Sequence, residues 1–204
     1  MRRKPNPDQR RRALCDTAIR LLASDGVKGL SHLKVDRKAG VADGTTSFYF
    51  RTRSALLQAV AIRVSELDLK DLTAATRTQA PPGLAAHEPS GLATLVMRTA
   101  TGARLIRTKA RHELALQAAR DPLLDKALRS HDDRFRTLIT DAVLRLQDKP
   151  DPALAERQAY VVMMFISGLM QAFTNGDRSI SSAEELDAII SGIVAGISPS
   201  TALR

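Results

Sequence analysis

SHLKVDRKAGVADGTTSFYFRTRSALL, running from Ser31 to Leu57, is the stretch that decides the fold. Ser31 is placed to N-cap a short helix in which Leu33, Val35 and Ala39 are candidates for the inward face, while Lys34, Arg37 and Lys38 point elsewhere. Gly40 then permits a turn. A positive φ at a helix end is cheap only for glycine, so Ala39-Gly40-Val41 reads as a stop followed by a new hydrophobic anchor. A second short helix, from about Asp43 to Phe48, offers Thr45, Thr46, Ser47 and Tyr49, whose hydroxyls can reach phosphates and base edges. Two short helices around a glycine turn, ending in aromatics and then arginines, form a helix-turn-helix pattern with a phosphate-binding exit.

Charge supports the same interpretation. Residues 1 to 53 hold thirteen Lys/Arg against five Asp/Glu, a net +8 of the chain's +9, and leave a nearly neutral remainder. A basic end on a neutral body suits a polyanion-binding module carried on something else, because each phosphate neutralised releases counterions. Arg2, Arg3 and Lys4 fit a basic arm or equally a solubilising tail, whereas Arg10 to Arg12 fall on the first helix, near the backbone of bound DNA.

The segment from about residue 8 to 60 resembles the DNA-binding domain of the TetR family of bacterial transcriptional regulators. Val41, Gly44, Thr45, Tyr49, Phe50, Arg53 and Leu56 occupy that family's characteristic places. Ser47 stands where the family usually has a tyrosine, and Asp43 where a lysine or other polar residue often meets DNA. The resemblance implies that Ser31, Lys34, Asp43, Gly44, Thr45, Thr46, Ser47, Phe48, Tyr49, Arg51 and Arg53 form the DNA-binding set. Within it, Thr45, Thr46, Phe48 and Tyr49 would address the major groove and adjacent backbone, and Lys34, Arg51 and Arg53 the phosphates.

Helical pattern continues through the chain, predicting an all-α protein with no convincing strand. Asp8 to Ser24 reads as a first helix ended by Gly26. Thr52 could cap a fourth that runs through Leu56, Leu57, Val60, Val64 and Leu67 toward Ala75. The proline- and glycine-bearing run between Thr78 and Gly91 predicts a mobile loop. Ser90 can start the next helix, and Arg107 to Ala119 suggests another. Asp121-Pro122 and Asp151-Pro152 are capped starts, the first opening one long stripe through Leu124, Leu128, His131, Phe135, Leu138, Ala142 and Leu146. The expected organisation is an arm and three-helix helix-turn-helix domain at 1–53, a linking helix at about 54–76, and a C-terminal helical effector-binding and dimerisation domain at 77–204.

The last two helices carry the clue to assembly. YVVMMFISGLMQAF, Tyr160 to Phe173, is apolar almost all round; the final helix opens with a capping box at Ser182-Ala183-Glu184-Glu185. Both could pack into their own subunit's core. The family resemblance favours a four-helix interface with a second copy, formed by Phe165, Leu169, Phe173, Leu186, Ile189, Ile190, Ile193, Val194 and Ile197, so that paired heads match a palindromic site.

Met97, Phe135, Met163 and Met170 could line an apolar effector cavity, with Arg104, His112, Ser167 and Gln171 as polar contacts; core packing or solvent exposure explains each equally well. Of seven aromatics three lie at Phe48 to Phe50, so the body is poorly furnished for stacking flat cations, which points to a flexible hydrophobic or acyl-like effector. Cys15 falls with Leu14, Ala18, Leu21 and Leu22 on the buried face of the first helix; a redox role would need an exposed thiol, and nearby arginines leave that open. His32, His87, His112 and His131 lack metal-ligand spacing, and there is no phosphate-binding glycine loop, nucleophile elbow or HExxH, so no metal, cofactor or enzymatic activity is expected. No signal-peptide core or membrane span is legible, which places the chain in the cytoplasm with no membrane partner. The expected function is a ligand-responsive regulator, most simply a repressor, that binds double-stranded DNA as a homodimer. A non-specific or architectural DNA-binding protein without an effector is the alternative.

Overall fold

The computed structural model describes residues 6–77, 88–147 and 149–197. Among these there are ten α-helices and no strand. They are α1 (Pro7–Gly29), α2 (His32–Ala39), α3 (Thr45–Tyr49), α4 (Arg53–Arg77) and α5 (Gly91–Arg98), then α6 (Gly102–Ala118), α7 (Pro122–Leu128), α8 (Asp132–Arg145), α9 (Pro152–Thr174) and α10 (Ala183–Gly196). The run expected as a mobile loop lies almost wholly outside the described residues.

Local chemistry explains most boundaries. Ser31, Ser90, Asp121, Asp151 and Ser182 each accept a backbone N–H from the first turn of the helix that follows, and the Thr52 hydroxyl accepts Ala55 N at 3.1 Å. The capping box on α10 is displaced by one residue. Ser182 Oγ accepts Glu185 N at 3.1 Å, but the Glu185 carboxylate reaches back to Ser181 N, at 3.0 Å. Gly26 interrupts α1 with φ 67°, after which the helix resumes as far as Gly29.

Packing groups the chain into two compact units: residues up to Asp68 with Ala103–His131, and Leu69–Gly102 with Asp132 onward. The core of the first is built by Leu14, Leu22, Val35, Phe50, Leu56 and Val60, joined by Leu114 of α6 and Leu124 of α7. Arg107 and Arg111 of α6 both reach Asp68 of α4, at 2.5 and 2.6 Å. The second core gathers Leu92, Val96, Val143, Val162, Phe173, Leu186 and Ile190. There Gln158 donates to Val194 O at 3.1 Å, and Asp187 accepts both the amide and the hydroxyl of Ser90.

Three expectations are corrected. The stripe from Leu124 to Leu146 is not one helix, because the chain breaks at Arg129–His131, where both Ser65 and Ser130 hydroxyls lie within 3.1 Å of His131 Nδ1. Leu33 is 42% exposed, and Asp36 takes the inward place on α2 beside Val35. Finally, Phe173, Leu186, Ile190 and Val194, expected on an outward interface, are interior to their own unit, each at most 2% exposed.

Candidate nucleic-acid interface

The helix-turn-helix comprises α2, a turn at Gly40–Gly44, and α3. Gly40 adopts the left-handed conformation at φ 64° and donates to Arg37 O at 3.3 Å, while Val41 N donates to Asp36 O at 3.1 Å. Gly44, at φ 90°, enters α3 and has no side chain with which to cap it.

Asp36 supplies that cap from α2. One carboxylate oxygen accepts Thr46 N at 2.7 Å and the Thr46 hydroxyl at 2.5 Å; the other accepts Gly44 N at 2.8 Å. Asp36 is 1% exposed and Thr46 0%. The far end of α3 is held as well. Arg11 Nη1 donates to Tyr49 O at 2.9 Å while its guanidinium lies 4.7 Å above the Phe50 ring, and His32 Nε2 donates to Phe50 O at 2.7 Å. A five-residue helix is far below the length of about 12–15 residues that is marginally stable alone, so these side chains account for its order.

Asp43, Gly44, Ser47, Phe48 and Arg51 are exposed, and Thr45 and Tyr49 partly so. Phe48 stands out at 72% exposed, its ring edge-to-face with Tyr49 at 5.2 Å between centroids. Thr45 donates its hydroxyl to Ala42 O at 2.6 Å, so it stabilises the turn as well as facing outward. Thr46, expected among the groove-facing residues, is corrected to an interior anchor, since its hydroxyl and amide are both spent on Asp36.

The basic set divides. Lys34 is exposed and pairs with Asp25 at 3.2 Å; hydrogen bonds from Ser24 and then Lys34 hold the Asp25 carboxyl below its ordinary range. Such an exposed pair contributes little to stability. Arg37, Lys38 and Arg51 are exposed. Arg53 instead turns back on the protein, donating Nε to Leu30 O at 3.3 Å and Nη2 to Val27 O, which ties α4 to the end of α1. Arg63 is committed likewise, forked onto Asp16 at 2.8 and 3.2 Å. Sequence inspection missed Asp36 and His32, and gave Arg11 a place near DNA but not its hold on the end of α3. The available signal was Gly44 itself, because a helix starting on glycine must borrow its cap.

The residues expected around an effector do not share one unit. Arg104 and His112 belong with α6 in the first, and the other six lie in the second. Met97, Phe135, Met163 and Met170 are partly buried against the second core, whereas Ser167 and Gln171 are exposed. His112 Nδ1 is buried without a hydrogen-bond partner among the described residues, and burial, then the Arg111 charge, pushes the imidazole below its ordinary pKa. A cleft of about 210 Å³ opens between α1 and α4, lined by Arg11, Cys15, Phe50, Ile62, Arg63 and others, none of them in the expected effector set. Cys15 itself is 4% exposed, and burial pushes its thiol up to about 12 despite the opposing charges of Arg11 and Arg63.

Residues 89–196 match the family model described as tetracyclin repressor-like, C-terminal domain. No curated protein matches the chain significantly. Solved structures share the fold at low identity. A transcriptional regulator from Rhodococcus sp. Rha1 superposes with a TM-score of 0.70 at 19% identity, over 94% of this chain and 95% of that one. The multidrug binding protein EbrR complexed with proflavin gives 0.62 at 21%, over 90% and 99%, and a protein from Saccharomonospora viridis in complex with choline gives 0.68 at 16%, over 93% and 97%. No helix among the described residues is long and apolar enough to cross a membrane. With more than half its length matched by the C-terminal family model, and a helix-turn-helix clamped at its N-terminal end, this chain belongs to the TetR family of transcriptional regulators.

Proposed function

We propose that the chain is a ligand-responsive repressor that binds a palindromic operator as a homodimer and leaves it when a small hydrophobic effector binds. The observation that carries this reading is α3 itself, held at both ends by Asp36, Arg11 and His32 while Phe48 projects 72% exposed beside Ser47. An apolar ring in this position suits a thymine methyl in the major groove. Thr45, Ser47 and Tyr49 add hydroxyls to base edges and backbone. Ser31, at the start of α2, and Asp43 and Gly44, at the start of α3, border the same surface, with Lys34, Arg37, Lys38 and Arg51 on phosphates.

Dimerisation uses the outward stripes of the last two helices. On α9, Tyr160, Met164, Ser167, Gly168 and Gln171 are exposed at helical spacing, and on α10 Ala188, Ser191, Gly192 and Ala195 are. The small residues allow close helix approach, and the partly buried Phe165, Leu169, Ile189, Ile193 and Ile197 border these stripes. Residues 1–53 then act as the reading head, about 54–76 as the link, and 77–204 as the controlling body. An effector that prefers the body conformation with splayed heads weakens operator binding by the ratio of its affinities for the two states.

Selection of bound sequences from a randomised duplex pool, with light scattering of the complex, tests this function. A palindrome bound by two or four chains supports it; recovery of no preferred sequence overturns it. A panel of acyl and other flexible hydrophobic compounds, scored for release of the selected duplex, tests the effector class.

A further inference from the structure

We propose that Asp36, a residue with no route to DNA, is the positioning residue that sets which bases this protein reads, by fixing the rotation of α3 about its own axis. The inference rests on the reading of α3 as the base-reading helix. Asp36 is 1% exposed, and its carboxylate takes three donors from the start of α3: Gly44 N at 2.8 Å, Thr46 N at 2.7 Å and Thr46 Oγ at 2.5 Å. Burying a carboxylate is unfavourable unless strong hydrogen bonds compensate, and a charged acceptor forms the stronger kind. All of that compensation comes from α3, so α3 cannot rotate without abandoning a buried charge.

Helical geometry converts this constraint into specificity. Successive residues advance by about 100° around an α-helix, so pinning Thr46 inward sends Phe48 about 200° round to the opposite side. Phe48 is 72% exposed and Thr46 0%, as that phase requires. The helix has too few turns to fix its own phase through packing, and its glycine start contributes no side chain. At the far end Arg11 and His32 hold the Tyr49 and Phe50 carbonyls and Arg11 covers the Phe50 ring, which secures the exit of α3, while the phase at its start is set by Asp36.

Electrostatics alone predicts the opposite sign. Asp36→Asn removes a negative charge from the DNA-binding unit, which should tighten binding to every duplex. The rotational role predicts looser binding to the preferred duplex only. Asparagine can satisfy one side of the bond set, but its amide opposes an N–H donor on the other.

The experiment measures affinity of the full-length protein for the duplex that wild type selects from a random pool, and for a shuffled duplex, across a salt series. Wild type is compared with Asp36→Asn, Asp36→Ala, Thr46→Val, Phe48→Ala and Asp36→Asn/Phe48→Ala. The preference for the selected duplex is expected to fall on the order of 10-fold or more in Asp36→Ala, with smaller losses in Asp36→Asn and Thr46→Val. Shuffled-duplex affinity and salt slope should stay within about twofold of wild type or tighten. The positions that lose preference should be those lost in Phe48→Ala, and the double variant should lose less than the sum. Parallel loss on both duplexes at constant preference would identify Asp36 as a fold residue and overturn the proposal, as would unchanged preference. If Asp36→Ala does not fold, Thr46→Val and Asp36→Asn decide the matter on the same criteria. Absence of any preference in wild type refutes the base-reading function itself, and that outcome is distinguishable from failure of the variants alone.

Discussion

Native protein exposed to a chromogenic disulfide reagent at pH 8 should leave Cys15 almost untouched. The magnitude follows from the site. A thiol at its ordinary value of 9.0 is about one-tenth thiolate at pH 8, whereas one raised to about 12 is ionised about once in ten thousand molecules, roughly 10³-fold less. A more basic thiolate is intrinsically more nucleophilic, which returns about 20-fold, so ionisation alone slows the reaction about 50-fold. The sulfur's residue is only 4% exposed, and access slows it further. Following absorbance with time, native against denatured protein, should show one thiol per chain released promptly on unfolding and a rate at least about 50-fold lower in the native state. Reaction of the native thiol within a few-fold of the denatured rate would show that the charges of Arg11 and Arg63 outweigh burial, and would restore Cys15 as a redox-sensor candidate.

Three further outcomes follow from the geometry. Phe48→Ala should lower preference for the selected duplex on the order of 10-fold, at the positions it addresses, while moving the melting temperature by no more than about 1–2 °C, since a side chain 72% exposed contributes little to the core; thermal unfolding and binding titrations check this together. Leu186→Ala should destabilise the chain by about 2–5 kcal/mol in denaturant titrations, while Ala188→Glu on the outward side of the same helix should leave stability nearly unchanged and weaken dimerisation at least ~10-fold in sedimentation experiments. His112 is held neutral below its ordinary value of 6.5, so the unfolded state binds the proton first; stability is fully present above about pH 6.5 and falls as pH drops toward the folded-state pKa. His112→Gln should flatten that acid-side slope in unfolding curves measured from pH 7.5 to 5.

The parts of the fold visible in the sequence were those decided by chemistry within one turn of chain. Asp121-Pro122, Asp151-Pro152, Ser90 and Ser182 announce helix starts because a cap needs only its own neighbours. Gly40 announces the turn for the same reason. What stayed hidden depended on partners distant in sequence. Five residues are too few for apolar periodicity to show which way α3 faces, so Thr46 and Phe48 looked alike until Asp36 distinguished them. Asp36 itself looks like a solvated charge on an otherwise charged helix. The stripe from Leu124 to Leu146 keeps its spacing through the break at Arg129–His131, so pattern alone joins α7 to α8. Over 160–173 and 186–197 most positions are apolar, and hydrophobicity could not divide interior Phe173, Leu186 and Ile190 from outward Met164 and Ala188. Arg53 was legible as basic, but its engagement with Leu30 and Val27 carbonyls required the packing of α4 on α1.

The most direct measurement of the central claim is the affinity of the full-length chain for its selected duplex against a shuffled duplex of equal length, at one physiological salt concentration, with the mass of the complex determined in parallel. Operator recognition by a paired reading head predicts a preference of about 10³-fold or more and an even number of chains on each palindrome. Equal affinity for both duplexes, or a single chain on the preferred one, would contradict it.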